Sequence, residues 1–300
     1  MSPVSPTDMD ALRLVDGADL SAVSLDPDGV AVTPGTLEAA MGDDGADLEP
    51  LPLARVLGAP HACADGRHRD EPSPFHDGDL IGTVSAVCAV AATRKDAGAA
   101  GESSLSKAPL DGSVEVHRLG VVGDHQSDAA HHGGPDKALY VMDSAEQQHW
   151  AGLLPGLTPG RLGENLLIEP GESGGIDDVE IGAILTIGAP GTGIRARVTG
   201  VRNPCPTFAR GVGRSDWVET FAERARVGVY LSVLRNGVVS AGDEVRLMVS
   251  PGHRVTCTRW FAHHDPRDAQ AMLSSEIFGN CVLADFTRKY VVAASHEQVG

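Results

Sequence analysis

Aromatic side chains are scarce in this 300-residue chain, at 4% of its composition, while glycine (36) and proline (19) are plentiful. That balance argues against a helical bundle and for many short elements joined by turns. Basic residues are few as well. With 24 Lys and Arg against 41 Asp and Glu the net charge is −17. This excludes a nucleic-acid binder that works by neutralising phosphates, and it excludes docking on anionic lipid. No stretch approaches the ~18 apolar residues of a membrane helix, and the acidic start of the chain is no signal peptide. The five cysteines (63, 88, 205, 257 and 281) are odd in number and lack a C-x-x-C spacing. Neither a disulfide framework nor a zinc or iron–sulfur cluster is therefore expected, and the chain reads as cytoplasmic.

Residues 1–78 carry 15 acidic and 4 basic side chains and one aromatic, Phe75. So little apolar surface cannot offset the entropy of ordering the segment, and a flexible acidic leader is expected there. From residue 79 the pattern becomes that of a folded unit. Alternating or β-branched runs at 80–88, 114–119, 138–142, 165–168, 179–187, 194–201, 227–233 and 243–249 predict strands. The Gly/Ala/Ser tract 97–106 predicts an exposed loop. Ser144 and Gln147 suggest a capping box for a short helix running to 154. The Gly188–Gly193 cluster lacks a following helix and is read as a hairpin turn, and Asn236-Gly237 as a second one. Residues 215–226 predict a helix whose Trp217, Val218, Phe221, Ala222 and Ala225 form a core stripe. The fold class expected is mainly β (α+β): a closed or nearly closed β-barrel over 79–250 with a few peripheral helices. A partly helical appendage follows over 251–300, in which His263 and His264 read as surface residues.

Two stretches carry chemistry. Arg202-Asn203-Pro204-Cys205-Pro206 places one thiol between two prolines, each of which fixes φ and lacks an N–H, so a stiff loop is expected. Arg202 and Arg210 lie close enough in sequence to favour the thiolate, the form that binds metals and attacks electrophiles. The second stretch, 123–137, is polar and dense in Asp124, His125, Asp128, His131, His132, Asp136 and Lys137 around Gly133-Gly134. It fits a solvated loop, a divalent-metal hydrolase site, or an anion cradle in which glycine backbone N–H groups and Lys137 approach a phosphate. Sequence physics alone leaves these three open.

Four islands in order are more specific. Asp124-x-Gln126-x-Asp128, His132-Gly133-Gly134-Pro135-Asp136-Lys137, Gly163-Glu164-Asn165-Leu166 and Arg202-x-Pro204-Cys205-x-x-Phe208 resemble a MOSC domain. The name refers to the C-terminal domain of molybdenum-cofactor sulfurase, and the likeness is to stand-alone bacterial members of the YiiM type. It also takes in Ser106-Lys107-x-Pro109 upstream and Val229-Tyr230-Leu231 with Ala241-Gly242-Asp243 downstream. Thr207 stands where many relatives have lysine, so one anion contact is expected to be missing.

The resemblance implies a β-barrel that binds the pterin molybdenum cofactor, with Cys205 as metal ligand and catalytic residue. It assigns Arg202, Lys137, Gly133 and Gly134 to the cofactor's phosphate or pterin, and His132 and Asn165 to hydrogen bonds with pterin or oxo groups. Asp124 and Asp128 are either pterin acceptors or braces of their loop. The activity implied is reduction of N-hydroxylated compounds, such as hydroxylaminopurines or amidoximes. Because no flavin, NAD or ferredoxin fingerprint is present, the electrons would come from a separate reductase. A sulfur carrier with a persulfide on Cys205 is the alternative. Relatives of that kind are fused to a pyridoxal-phosphate domain, which the acidic leader is too short and polar to be. A homodimer is compatible with all of these readings.

Overall fold

In the computed structural model the described residues are 24–25, 31–32 and 71–296, without 99 and 129–131. The expected acidic leader, 1–78, falls mostly outside them. The chain divides into two units, Met1–Pro52 and Leu53–Gly300. Within the first, β1 (Ser24–Leu25) pairs antiparallel with β2 (Ala31–Val32).

The second unit is built on an 11-residue strand, β3 (Leu80–Val90), preceded by the buried Phe75. Two short strands, β4 (Arg94–Lys95) and β5 (Glu102–Ser103), pair as a hairpin, with β5 inside the tract 97–106 expected to be loop. β6 (Lys107–Pro109) follows, then β7 (Val114–His117) and β8 (Gly120–Val121), and a 3-10 turn, Pro135–Lys137, leads into β9 (Leu139–Asp143). The helix α1 (Ser144–Ala151) and a crossover segment connect β9 to β10 (Leu166–Pro170), which runs parallel to it. A parallel pair needs such a crossover, because a tight turn can only reverse the chain. β11 (Ile184–Ile187) and β12 (Ile194–Val201) form the expected hairpin, Ile187 opposite Ile194. Helices α2 (Pro206–Val212) and α3 (Trp217–Glu223) precede β13 (Val229–Arg235), β14 (Gly237–Val239) and β15 (Glu244–Val249). The chain ends in α4 (Cys257–His263), α5 (Pro266–Ile277) and α6 (Asp285–Ser295).

Seven strands close a barrel in the order β10-β9-β13-β12-β11-β15-β3, with β3 returning to β10 and β6 added to the end of β3. Closure leaves these strands without the free edges that would invite aggregation. Gly82 sits where β3 passes from β15 to β10. A Cβ there would lie 2.3 Å from the Glu169 carbonyl, so the strands meet only because it is absent. The alternating strands bury one face as expected: Ile81, Val84, Leu139, Leu185, Val198 and Leu231 are all within the core.

Several local expectations give way to tertiary packing. Asn236-Gly237 does not return β14 onto β13. β14 leaves the barrel to pair with β7, and Gly237 packs against the carbonyls of Thr192 and Gly193. The N-cap position of the first helix falls on Asp143, one residue before Ser144, without a side-chain capping bond, and the Ser144 hydroxyl donates to Glu169. Residues 179–183 are not strand, and the helix expected over 215–226 shortens to α3. Trp217, Phe221, Ala222 and Ala225 are nonetheless wholly buried, as the stripe predicted. His263 and His264 are half-buried, and the His264 ring packs 4.7 Å from Trp260.

Below the β9–α1 corner lies an acidic cluster around two arginines. Arg226 contacts Asp178 at 2.9 Å, Glu146 at 3.2 Å and Asp143 at 3.4 Å, while Arg224 binds Glu146 at 2.6 Å. Burial, opposed in part by Arg226, pushes the Asp143 carboxyl up to about 7. The folded state therefore retains a proton that the unfolded chain releases above about pH 4. Asp143 contributes stability that is full below pH 4 and is lost as pH rises to 7. The pH dependence of urea midpoints between pH 4 and 7 should be displaced in this direction relative to Asp143→Asn. The difference is expected to be on the order of 1 kcal/mol per pH unit, and identical profiles for the two proteins would contradict it.

Candidate functional site

Cys205 caps the N-terminus of α2 in extended geometry, with its half-buried thiol making no capping hydrogen bond. Pro204 and Pro206 flank it, and Pro206 occupies the first helical turn, where a missing N–H costs nothing. Cys205 lines a cleft of about 790 Å³, open mouth included. Asp128, His132, Lys137, Asn165 and Arg202 line the same cleft. Six of the sequence-selected residues are thus brought together. Asp124, Gly133 and Gly134 are not on the wall, and His131 lies outside the described residues.

Asp124 stands behind the wall as a brace. Its Oδ1 accepts from the Val90 N–H at 2.8 Å, and its Oδ2 takes Lys107 Nζ at 2.6 Å and Asn165 Nδ2 at 2.8 Å. Asn165 also donates to the Cys88 carbonyl at 3.2 Å and accepts from the Tyr140 N–H at 3.2 Å. These three bonds direct the Asn165 amide to the barrel. The Gly134 N–H donates to Gln126 Oε1 at 3.0 Å, and Gln126 Nε2 donates to the Lys137 carbonyl at 3.3 Å. Gln126 therefore straps the turn that presents Lys137, a role its place in the first island did not disclose.

Arg202 is 3% exposed and held between two rings, 4.5 Å from the Tyr140 centroid and 3.9 Å from Phe208. Its Nη1 donates to the Leu162 carbonyl at 2.6 Å. That carbonyl is set by Glu164, whose carboxylate accepts the Gly160 N–H at 2.6 Å and the Leu162 N–H at 3.1 Å. Glu164 thus braces the turn 160–165, which aims the Leu162 carbonyl at Arg202 and the Asn165 amide at Asp124. Burial works against the Arg202 charge, but Tyr140, Tyr230 and Cys205 outweigh it and raise its pKa.

The remaining walls come from elements that sequence reading passed over. The β4–β5 hairpin supplies Glu102, Ser103 and Leu105. Glu102 binds His125 Nε2 at 2.9 Å and the Ser127 hydroxyl at 3.1 Å, tying the polar loop to the hairpin. Asp96 pairs with Arg210 at 2.5 Å, and Arg210 also donates to Thr207 at 2.9 Å, which fixes the hairpin to α2. Arg210 is spent on this latch. His132 Nδ1 lies 3.4 Å from the Tyr230 hydroxyl, whose pKa burial pushes up to about 12. Lys137 is half-buried, and burial lowers its pKa against the opposing pull of Asp128 and Asp136. Among the described residues no three His, Cys, Asp or Glu side chains gather as a metal site.

A closed β-barrel thus presents a proline-flanked cysteine to a cleft that also holds a buried arginine and a half-buried lysine. Residues 128–246 match the model of the MOSC domain family. The chain is 28% identical over 194 residues to the uncharacterized protein YflK of Bacillus subtilis, covering 63% of this chain and 85% of that protein. It is 28% identical over 152 residues to YiiM of Escherichia coli, covering 49% and 64% respectively. The solved YiiM structures from Geobacillus stearothermophilus and Escherichia coli share the fold. Their TM-scores are 0.53 and 0.52 at 20% and 23% identity, and they cover 71% and 73% of this chain and 98% and 95% of theirs.

The buried Lys107–Asp124 pair generates a stability prediction. Asp124→Asn leaves an unpaired ammonium at 8% exposure and should cost roughly 3 kcal/mol in urea unfolding. Lys107→Met in the same background should recover part of that loss. A double variant no more stable than Asp124→Asn would show that the ammonium is not the cause.

Proposed function

We infer that this protein binds a molybdenum–pterin cofactor and reduces N-hydroxylated small molecules with electrons from a separate reductase. The observation that carries the reading is the Cys205 thiol, free of any capping bond, facing a cleft that Arg202 and Lys137 supply with positive charge. The donor set fits such a group. A thiolate is a soft ligand suited to a thiophilic metal. Arg202 Nε is buried without a hydrogen-bond partner, an orphan donor at the cleft that an anionic group would satisfy. The four cysteines among the described residues are free, in keeping with a reducing compartment such as the cytoplasm. Among the described residues no helix is long and apolar enough to cross a membrane.

A bound molybdenum centre would supply two-electron oxygen-atom chemistry, with the net change R–NHOH + 2 e⁻ + 2 H⁺ → R–NH₂ + H₂O. This chain's residues do the rest. Cys205 would hold the metal, and its flanking prolines would keep the sulfur from drifting. Arg202, pinned between rings and already charged, offers fixed positive potential without reorganising. Lys137 adds a second cation at the edge. His132 and Tyr230 share a proton-bearing contact beside the cleft, placed to hold one of the two protons that the net change consumes. Leu105 adds an apolar side chain to the wall of the cleft.

Purification from a molybdenum-cofactor-competent host should give protein with molybdenum approaching stoichiometry by elemental analysis, together with N-hydroxy reductase activity when a reductase is supplied. Cys205→Ala should lose most of the metal and at least 100-fold of the activity, on the order expected for removing a first ligand. Wild-type protein without molybdenum, or metal and activity unchanged in Cys205→Ala, would overturn the reading. A persulfide on Cys205 in metal-free wild type would favour the sulfur-carrier alternative.

A further inference from the structure

The C-terminal helix α6 lies beyond the matched residues 128–246, yet it is locked to the wall of the cleft. Gly200 in β12 makes the approach possible: a Cβ there would lie 2.3 Å from Thr287 Oγ1 and 2.9 Å from Phe286 Cε2. Thr287 donates to the Thr199 carbonyl at 2.6 Å. The Thr199 hydroxyl in turn is shared between the Asp136 carbonyl at 2.6 Å and the Tyr230 carbonyl at 2.9 Å. A continuous path thus runs from α6 through β12 to the turn that carries Lys137. At its end Lys137 Nζ sits 4.4 Å from the Phe286 ring centroid and 5.6 Å from that of Tyr230. The two rings meet edge to face, 6.3 Å apart at 86°.

We propose that Phe286 is a positioning residue for Lys137: its ring, delivered by the tail helix, holds the lysine cation at the edge of the cleft, so that α6 completes the site. What Lys137 would contact rests on the cofactor reading; the Phe286–Lys137 contact does not. The physical ground is the negative face of the ring, which attracts a cation most when water is partly excluded. Lys137 meets that condition. Burial disfavours its charge, Asp128 and Asp136 favour it, and the phenol of Tyr230 stays protonated and supplies only its ring. A leucine at 286 would fill the space without the ring's charge distribution, and a tyrosine would keep both.

The test is the pH dependence of Lys137 acetylation by acetic anhydride, followed by mass spectrometry on the full-length protein. Wild type, Phe286→Leu, Phe286→Tyr and protein with pentafluorophenylalanine installed at 286 are compared, with far-UV circular dichroism confirming that α6 persists. The titration midpoint should fall by roughly half a pH unit in Phe286→Leu. It should fall further with the fluorinated ring, which keeps the shape and reverses the charge of the face, and stay near wild type in Phe286→Tyr. Molybdenum content should follow the same order. A midpoint unchanged by the fluorinated ring overturns the proposal, as does Phe286→Tyr behaving like Phe286→Leu. If wild type holds no molybdenum the cofactor reading fails, and the Lys137 titration still decides this proposal.

Discussion

A lysine at 8% exposure is the constraint on which the mouth of this barrel depends. Lys107 can remain charged there only because Asp124 meets it, and Asp124 can be buried only because Val90 and Asn165 also donate to it. The carboxylate therefore joins the end of β3, the strand β6 and the turn before β10 at one point. Asn165 extends the junction to the Tyr140 backbone. Such a junction adds little net stability over an apolar one, but losing a single member leaves a charge or amide stranded. That asymmetry specifies one arrangement of three segments, and with it the wall that Asn165 and Tyr140 present.

The scarcity of aromatics acquires meaning from where they are spent. Seven of the twelve gather at the site or beneath it. Trp150, Trp217, Phe208 and Phe221 form an edge-to-face and stacked cluster, with centroids 5.0–5.9 Å apart, under the helix that Cys205 caps. Tyr140 and Phe208 clamp Arg202, while Tyr230 and Phe286 flank Lys137. Rings are rigid, and their faces tolerate cations in a dry setting where carboxylates would neutralise them. Arg202 keeps its positive potential toward the cleft, while Lys137 shares the field of Asp128 and Asp136 with the two rings. Arg210, bound to Asp96, shows the opposite fate.

Much of the barrel was legible because burial of one sheet face imposes a period of two, as in β7 and β11, and because glycine and proline mark turns. The stiff cysteine loop was legible for the same reason. Asn236-Gly237 misled because a turn signal says that the chain bends and not which strand it will meet. The tract 97–106 lacks β-branched residues, so its hairpin forms only with Asp96, Glu102 and Ser104 held from other segments. Asp124 and Asp128 looked alike in sequence. Their difference is depth: one is enclosed by Lys107 and Asn165 and the other lines the cleft, and depth is a property of the closed fold.

The β-rich class, the order of the four islands and the proline-flanked thiol follow from the chain alone, since periodicity, backbone-restricting residues and motif order are local and survive without contacts. Which polar residues brace and which face the cleft is set by the closed fold. It alone brought Phe286 of the last helix beside Lys137, across 149 positions of sequence. Such partners are selected by burial, shape and the need to satisfy every enclosed charge, which act on distant segments at once and leave no periodic trace in the chain.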